Sequence, residues 1–120
     1  MLRVAYVLPA LLRPSGWRTY AVALLRSIQE YVEPVIFASA ADAEEARSLF
    51  PQKQVFVLPV TQSAALTSLR GQLALLRCYR AISSNAFPKV DLVHSLEAYP
   101  TGLVGSWLSR RLGCPHALTA

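Results

Sequence analysis

The chain has 120 residues, enough for one domain of ordinary size and not two. Hydrophobic residues make up 53% and charged residues 16%, which excludes a disordered chain and supplies a real core. The net charge of +5 favours anionic partners (phosphates, nucleic acid or an acidic membrane surface), or it marks an ordinary basic surface.

Short apolar runs alternate with longer helical patterns. Residues 2–8 (LRVAYVL) read as a strand buried on both faces and stopped by Pro9. A loop with Arg13, Pro14, Ser15 and Gly16 follows. Trp17, Tyr20, Ala21, Leu24, Leu25, Ile28 and Val32 then recur at helical spacing, with Ser15 as a cap and Pro34 as the stop. Residues 35–38 are a second strand. Ser39 or Asp42 starts a second helix, with Glu44 and Glu45 placed to suit the helix dipole and Pro51 after its end. Residues 54–58 are a third strand.

Residues 64–84 form a long helical stretch with two stripes. One is Leu66, Leu69, Leu73 and Leu76; the other is Leu75, Cys78, Tyr79 and Ile82. Two stripes predict a helix covered on more than one side. Residues 91–94 are a fourth strand, and 100–112 a helix rich in small residues. Gly113 ends that helix, with Pro115 just beyond. Residues 116–119 begin a fifth strand. This alternation predicts an α/β fold: a Rossmann-like, doubly wound parallel sheet in the order 3-2-1-4-5. The pattern stops within a sheet, so the domain is expected to continue past Ala120, and an open strand edge predicts self-association.

Cys78 and Cys114 belong to no metal-ligand or redox spacing, which favours a reducing compartment. Pro9, Arg13 and the lack of a cleavage site argue against a signal peptide at residues 1–12. No apolar stretch is long enough for a transmembrane helix. A cytoplasmic location is expected, with peripheral contact at the inner face of the plasma membrane.

In open parallel sheets, ligands bind at the carboxyl ends of strands where the strand order reverses. Gly16 before a helix lets backbone N–H groups approach an anion, with Arg13 and Arg18 beside it, or it is only a tight turn. His94 and Glu97 pair an imidazole with a carboxylate at the end of the fourth strand. They could bind a sugar hydroxyl or act as acid and base, or His94 could bond a neighbouring loop. Arg70, Arg77 and Arg80 lie beside the first leucine stripe, placed for phosphates, for lipid headgroups or for plain solvation. His116, inside a strand, reads as structural. No phosphate-binding GxxxxGK[ST], no GxSxG and no DxD is present.

Residues 3–8 with 14–20 (PSGWRTY) resemble the opening of family 4 (group 1) glycosyltransferases. Gly16 stands as the second glycine of that family's turn and Tyr20 as its aromatic, with Ser15 in place of the first glycine. Asp91 to Glu97 resembles the family's Asp-apolar-apolar-His-x-His segment, with Leu96 in place of the second histidine. Gly113, Cys114 and Pro115 resemble its Gly-x-Pro. The resemblance implies a GT-B architecture of two Rossmann-like domains and metal-independent, retaining-type transfer, without a cofactor. A nucleotide sugar is held mainly by the second domain, and a sugar or lipid-linked acceptor by the first. It makes this chain a partial N-terminal, acceptor-side domain that transfers no sugar alone. The substrate-binding residues it implies are Ser15, Gly16, Arg18, His94 and Glu97. The competing reading is a stand-alone flavodoxin-like binding or regulatory module without catalysis. Nucleic-acid binding has no recognition helix or aromatic-basic motif to support it.

Overall fold

The computed structural model describes residues 1–9, 11, 16–51, 53–59, 68–99 and 101–119. Strand β1 (Leu2–Val7) sets the architecture through its alternation. Val4 and Tyr6 point to one face of the sheet, Ala5 and Val7 to the other, and all four are buried. A strand covered on both faces must be apolar at every position, which is why residues 4–8 show no polar interruption.

Helices α1 (Gly16–Ile28) and α2 (Ala43–Leu49) cover the Val4/Tyr6 face through Ala21, Leu25 and Ala46. Helices α3 (Leu69–Ser84) and α4 (Thr101–Leu112) cover the Ala5/Val7 face through Cys78, Ile82, Val104 and Leu108. The other strands are β2 (Val32–Ser39), β3 (Gln54–Leu58), β4 (Leu92–Ser95) and β5 (His116–Leu118). All neighbouring strands pair in parallel, in the order β3-β2-β1-β4-β5. The direction of growth reverses after β3, so the covering helices change face there, as a constant right-handed crossover requires. This is the Rossmann order, and it differs from the 2-1-3-4-5 order of flavodoxin-like folds. β1 and β4 are adjacent and central, with Ala5 opposite Val93.

Three phenyl rings fix the β3 side of the second face. Phe37 stacks on Phe56 at 5.3 Å, and Phe87 meets both edge-on at 5.5 and 5.8 Å. Such pairs contribute about 0.5–1.5 kcal/mol each beyond their burial.

Most predicted elements occur within a residue or two. Leu8 lies past β1, yet its N–H still bonds the Phe37 carbonyl at 3.0 Å. The fourth strand starts at Leu92; just before it, Asp91 accepts the Arg3 N–H on its carboxylate at 2.8 Å and donates its own N–H to the Arg3 carbonyl at 2.7 Å. Ser39 and Asp42 do not cap by side chain; a 3-10 turn (Ala40–Asp42) precedes α2, and the Ser39 hydroxyl donates to the Asp42 carboxylate at 2.8 Å. Ser68 caps α3, accepting from the Gly71 N–H at 2.9 Å. Gly113, at φ +68°, ends α4 in the left-handed region that glycine adopts without a Cβ penalty.

Two expectations are corrected. Val32 and Pro34 belong to β2, not to the end of a helix, which stops at Ile28. β3 pairs with β2 only from Val35, so Pro34 has a strand neighbour on one side alone, a position that tolerates a missing N–H. The long helix is covered on one side, not two: Leu75, Cys78 and Ile82 are buried while Leu69, Leu73 and Leu76 are exposed. The predicted first turn of that helix, 64–67, the Ser15 cap and Pro100 lie outside the described residues.

Candidate functional site

The strand order reverses between β1 and β4, and the carboxyl ends of these strands carry the candidate residues. His94 sits on β4 between Tyr6 of β1 and Ala117 of β5. Its half-buried ring lies 5.6 Å from the Tyr6 ring, tilted by 44°. The ring's Nε2 is 2.9 Å from the Thr119 hydroxyl. That hydroxyl also meets the Tyr20 phenol of α1 at 3.4 Å. Thr119 is held in place by its backbone, whose N–H bonds the Ser95 carbonyl at 3.0 Å and prolongs the β4–β5 ladder. A chain of imidazole, hydroxyl and phenol therefore links β4, the end of β5 and the first turns of α1.

Burial, and then the nearby His116, lowers the His94 pKa below its ordinary value. The ring is thus neutral at neutral pH, with one nitrogen able to accept a hydrogen bond. Burial raises the Tyr6 pKa, helped by the neighbouring Tyr20, so that phenol stays protonated. Glu97 follows in the turn between β4 and α4. Burial raises its pKa, and among the described residues its carboxylate makes no hydrogen bond. Its backbone carbonyl accepts from the Thr101 hydroxyl at 2.8 Å and anchors the turn.

Gly16 is the first residue of α1 and is exposed; nothing lies within 4 Å of where a Cβ would stand. Its φ is not positive, so neither internal packing nor backbone conformation among the described residues demands glycine. Arg18, two residues further along α1 than Gly16, is engaged elsewhere. Its Nε donates to the Leu11 carbonyl at 2.7 Å, and its Nη2 pairs with Glu45 of α2 at 3.1 Å. It ties the loop after β1 to α2. Ser15 lies outside the described residues. The structure thus brings His94, Glu97 and the α1 start to one edge, with Arg18 turned to the α2 side.

Sequence reasoning missed Thr119 as the partner of His94, and Tyr20 as the second partner of Thr119. It also missed a second pair on the opposite face. Ser95, fully buried, lies with its Oγ 2.8 Å from His116 Nε2 and donates to the Thr101 carbonyl at 2.9 Å. The single hydroxyl proton is committed to Thr101, so His116 Nε2 must be the donor to Ser95. That direction is the reverse of a nucleophile and its base, in which the serine gives its proton to the imidazole. The pair is structural, as the strand position of His116 predicts. The alternation of β4 separates the two pairs: His94 faces α1 and Ser95 faces α4. Gly105 of α4 completes the second pair, because a Cβ there would overlap Ser95 Oγ and lie 2.7 Å from His116 Nε2.

A groove of about 410 Å³ lies at the opposite edge, between the carboxyl ends of α1 and α2, lined by Arg26, Gln29, Leu49, Phe50, Pro51 and Lys53. It shares no residue with the His94 edge. Among the described residues no three His, Cys, Asp or Glu side chains converge as a metal set. No described helix is long and apolar enough to cross a membrane. No protein-family model matches the chain, and no curated protein matches it.

Proposed function

We propose that this chain is the acceptor-side Rossmann-like domain of a GT-B glycosyltransferase, which moves a sugar from a nucleotide-sugar donor to a sugar or lipid-linked acceptor. The observation that carries this reading is the convergence of the α1 start, His94, Thr119 and Glu97 at the β1/β4 reversal of the sheet. A hydroxyl-rich ligand needs several hydrogen-bond groups of mixed character at one crevice, and this edge offers an imidazole, a hydroxyl, a phenol and a carboxyl group. The neutral imidazole of His94 accepts from an acceptor hydroxyl and orients it. The first turn of α1 presents N–H groups to a phosphate or a sugar oxygen across the space left by Gly16. The resemblance adds Ser15 to this set, and Glu97 receives a second hydroxyl. Arg18 is held toward Leu11 and Glu45 and stands at the margin of this set. The donor nucleotide is held chiefly by a second domain, so this domain's own affinity for ligand is low, and without that domain the chain transfers no sugar.

The test is a backbone-amide NMR titration of the chain with nucleotide sugars and with free sugars. Shifts are expected first at residues 16–20, 94–97 and 119. Shifts confined to the Arg26–Lys53 groove, or none at millimolar ligand, would overturn the proposal.

A further inference from the structure

The outer face of α3 has no use in the sugar site. Leu69, Leu73 and Leu76 are 73%, 43% and 44% exposed, and Tyr79 is 50% exposed. On a helix of 3.6 residues per turn the three leucines share roughly 60° of arc. Arg80 falls within that arc, and Arg77 and Arg70 line one flank. On the other flank the Tyr79 ring meets Trp107 of α4 edge-on at 5.3 Å, an aromatic pair at the α3–α4 junction. α4 adds Arg110 and Arg111 in its last turn.

The helical acids are segregated, although arginines occur on both faces. Residues 46–90 contain no Asp or Glu, and neither does α4, while α2 on the opposite face carries Glu44 and Glu45. The α3–α4 side therefore presents arginines and leucines with no counter-charge of its own. A polyanion such as nucleic acid would be met by the arginines and gain nothing from three exposed leucines. A lipid surface uses both. Leucines enter the acyl boundary, arginine stems lie along it with their heads at the phosphates, and Tyr and Trp sit at headgroup depth.

We propose that the outer face of α3, with the Tyr79–Trp107 pair beside it, docks this protein on an anionic lipid surface. The occupant is the bilayer itself, through the phosphates of acidic lipids and the first methylenes of their chains. The surface and the His94 edge use different residues, so either can fail without the other.

The experiment is co-sedimentation of the full chain with vesicles of phosphatidylcholine alone and of phosphatidylcholine mixed with phosphatidylglycerol, at low and high salt. Binding is expected to the mixed vesicles only, and to weaken as salt rises. The double variant Leu73→Ser/Leu76→Ser and the double variant Arg77→Gln/Arg80→Gln should each lower it by about tenfold or more. All four side chains are exposed, so circular dichroism and melting temperature should stay at the parent's values. Equal binding to neutral vesicles, or unchanged binding by both variants, overturns the proposal. So does a lipid-free dimer that the leucine variant dissolves, since the face would then belong to a second copy.

Discussion

The Nε2 of His94 and the hydroxyl of Thr119 stand 2.9 Å apart across the β4–β5 pair, and the same hydroxyl reaches Tyr20 at 3.4 Å. One threonine thus couples the last strand of the sheet to the helix that follows the first. The valine variant Thr119→Val keeps the shape and deletes both bonds. It should cost about 1 kcal/mol in urea unfolding, because His94 is only half-buried and water replaces part of what is lost. The same variant should free the His94 ring, read by NMR as broadened Hδ2 and Hε1 signals. A loss above about 3 kcal/mol would mean that the contact supports the core and not merely the edge.

Acid should destabilise the fold through its histidines. Burial lowers the pKa of both His94 and His116 below the ordinary value of 6.5. The unfolded chain therefore takes up protons before the folded chain does. The stability these groups contribute is full above about pH 6.5 and is lost as pH falls through their lowered folded values. Glu97 has the opposite sign: burial raises its pKa above 4.5, so its contribution is full below that value and lost as pH rises through the folded one. Melting temperature should fall between pH 7 and pH 5.5. The double variant His94→Gln/His116→Gln should show a flatter profile over that range. A parent whose melting temperature rises on mild acidification would contradict this assignment.

Gly105 and Gly16 are expected to answer alanine in opposite ways. At Gly105 helix propensity favours alanine by about 1 kcal/mol. Against that, the new methyl overlaps Ser95 Oγ in a buried pair, which brings overpacking of about 1–3 kcal/mol and broken buried hydrogen bonds of similar size. Gly105→Ala should therefore lose about 2–4 kcal/mol in urea unfolding. At Gly16 there is open space, so Gly16→Ala should leave stability within about 0.5 kcal/mol. Its effect belongs to the ligand titration, where it should weaken the shifts at residues 16–20. Equal stability of the two variants would remove the close approach of α4 to β4 from the account.

The thiols should be slow to react. Burial pushes the Cys78 thiol up to about 12, and Cys78 is fully buried against the sheet. Cys114 is partly exposed, and burial followed by the nearby Asp91 carboxylate raises its pKa as well. Maleimide or disulfide reagents near pH 8 should label Cys114 slowly, and Cys78 only at the rate of unfolding. Rapid labelling of both thiols in the native protein would show an α3–sheet contact looser than the one described.

Much of the fold was legible because the inner strands lie between two layers of helix. Residues 54–58 form a strand with the bounds their apolar run predicts, and the β1–β4 adjacency follows from alternating elements and one hand of crossover. What periodicity could not tell was which stripe of α3 is covered. Spacing groups Leu69, Leu73 and Leu76 on one face, but coverage depends on elements far away in sequence. The site was half legible. His94 and Glu97 stand out because a strand ends there. Thr119 does not, since its place under His94 comes from the β4–β5 register, in which Ser95 faces Leu118. Nor could spacing show that Arg18 is bonded to Glu45, an interaction between separate helices.

The return of the chain across the sheet after β3 also shapes how the molecule assembles. β1, β2 and β3 pair in sequence order, each through a nearby crossover. β4 must come back past two strands before His94 can lie beside Tyr6. Contacts between distant parts of a chain close late, since the loop entropy is lost before the contact rewards it. The edge that carries His94 therefore lies on the seam between a local half and one closed by distant contacts. Ile36→Val in β2 should chiefly slow folding, while Val93→Ala in β4 should chiefly speed unfolding, as stopped-flow chevrons would record. Late closure predicts that this seam is the first place to open under strain, so amide exchange should be faster at the edge that gathers His94, Thr119 and Tyr20 than along the β1–β2 pair.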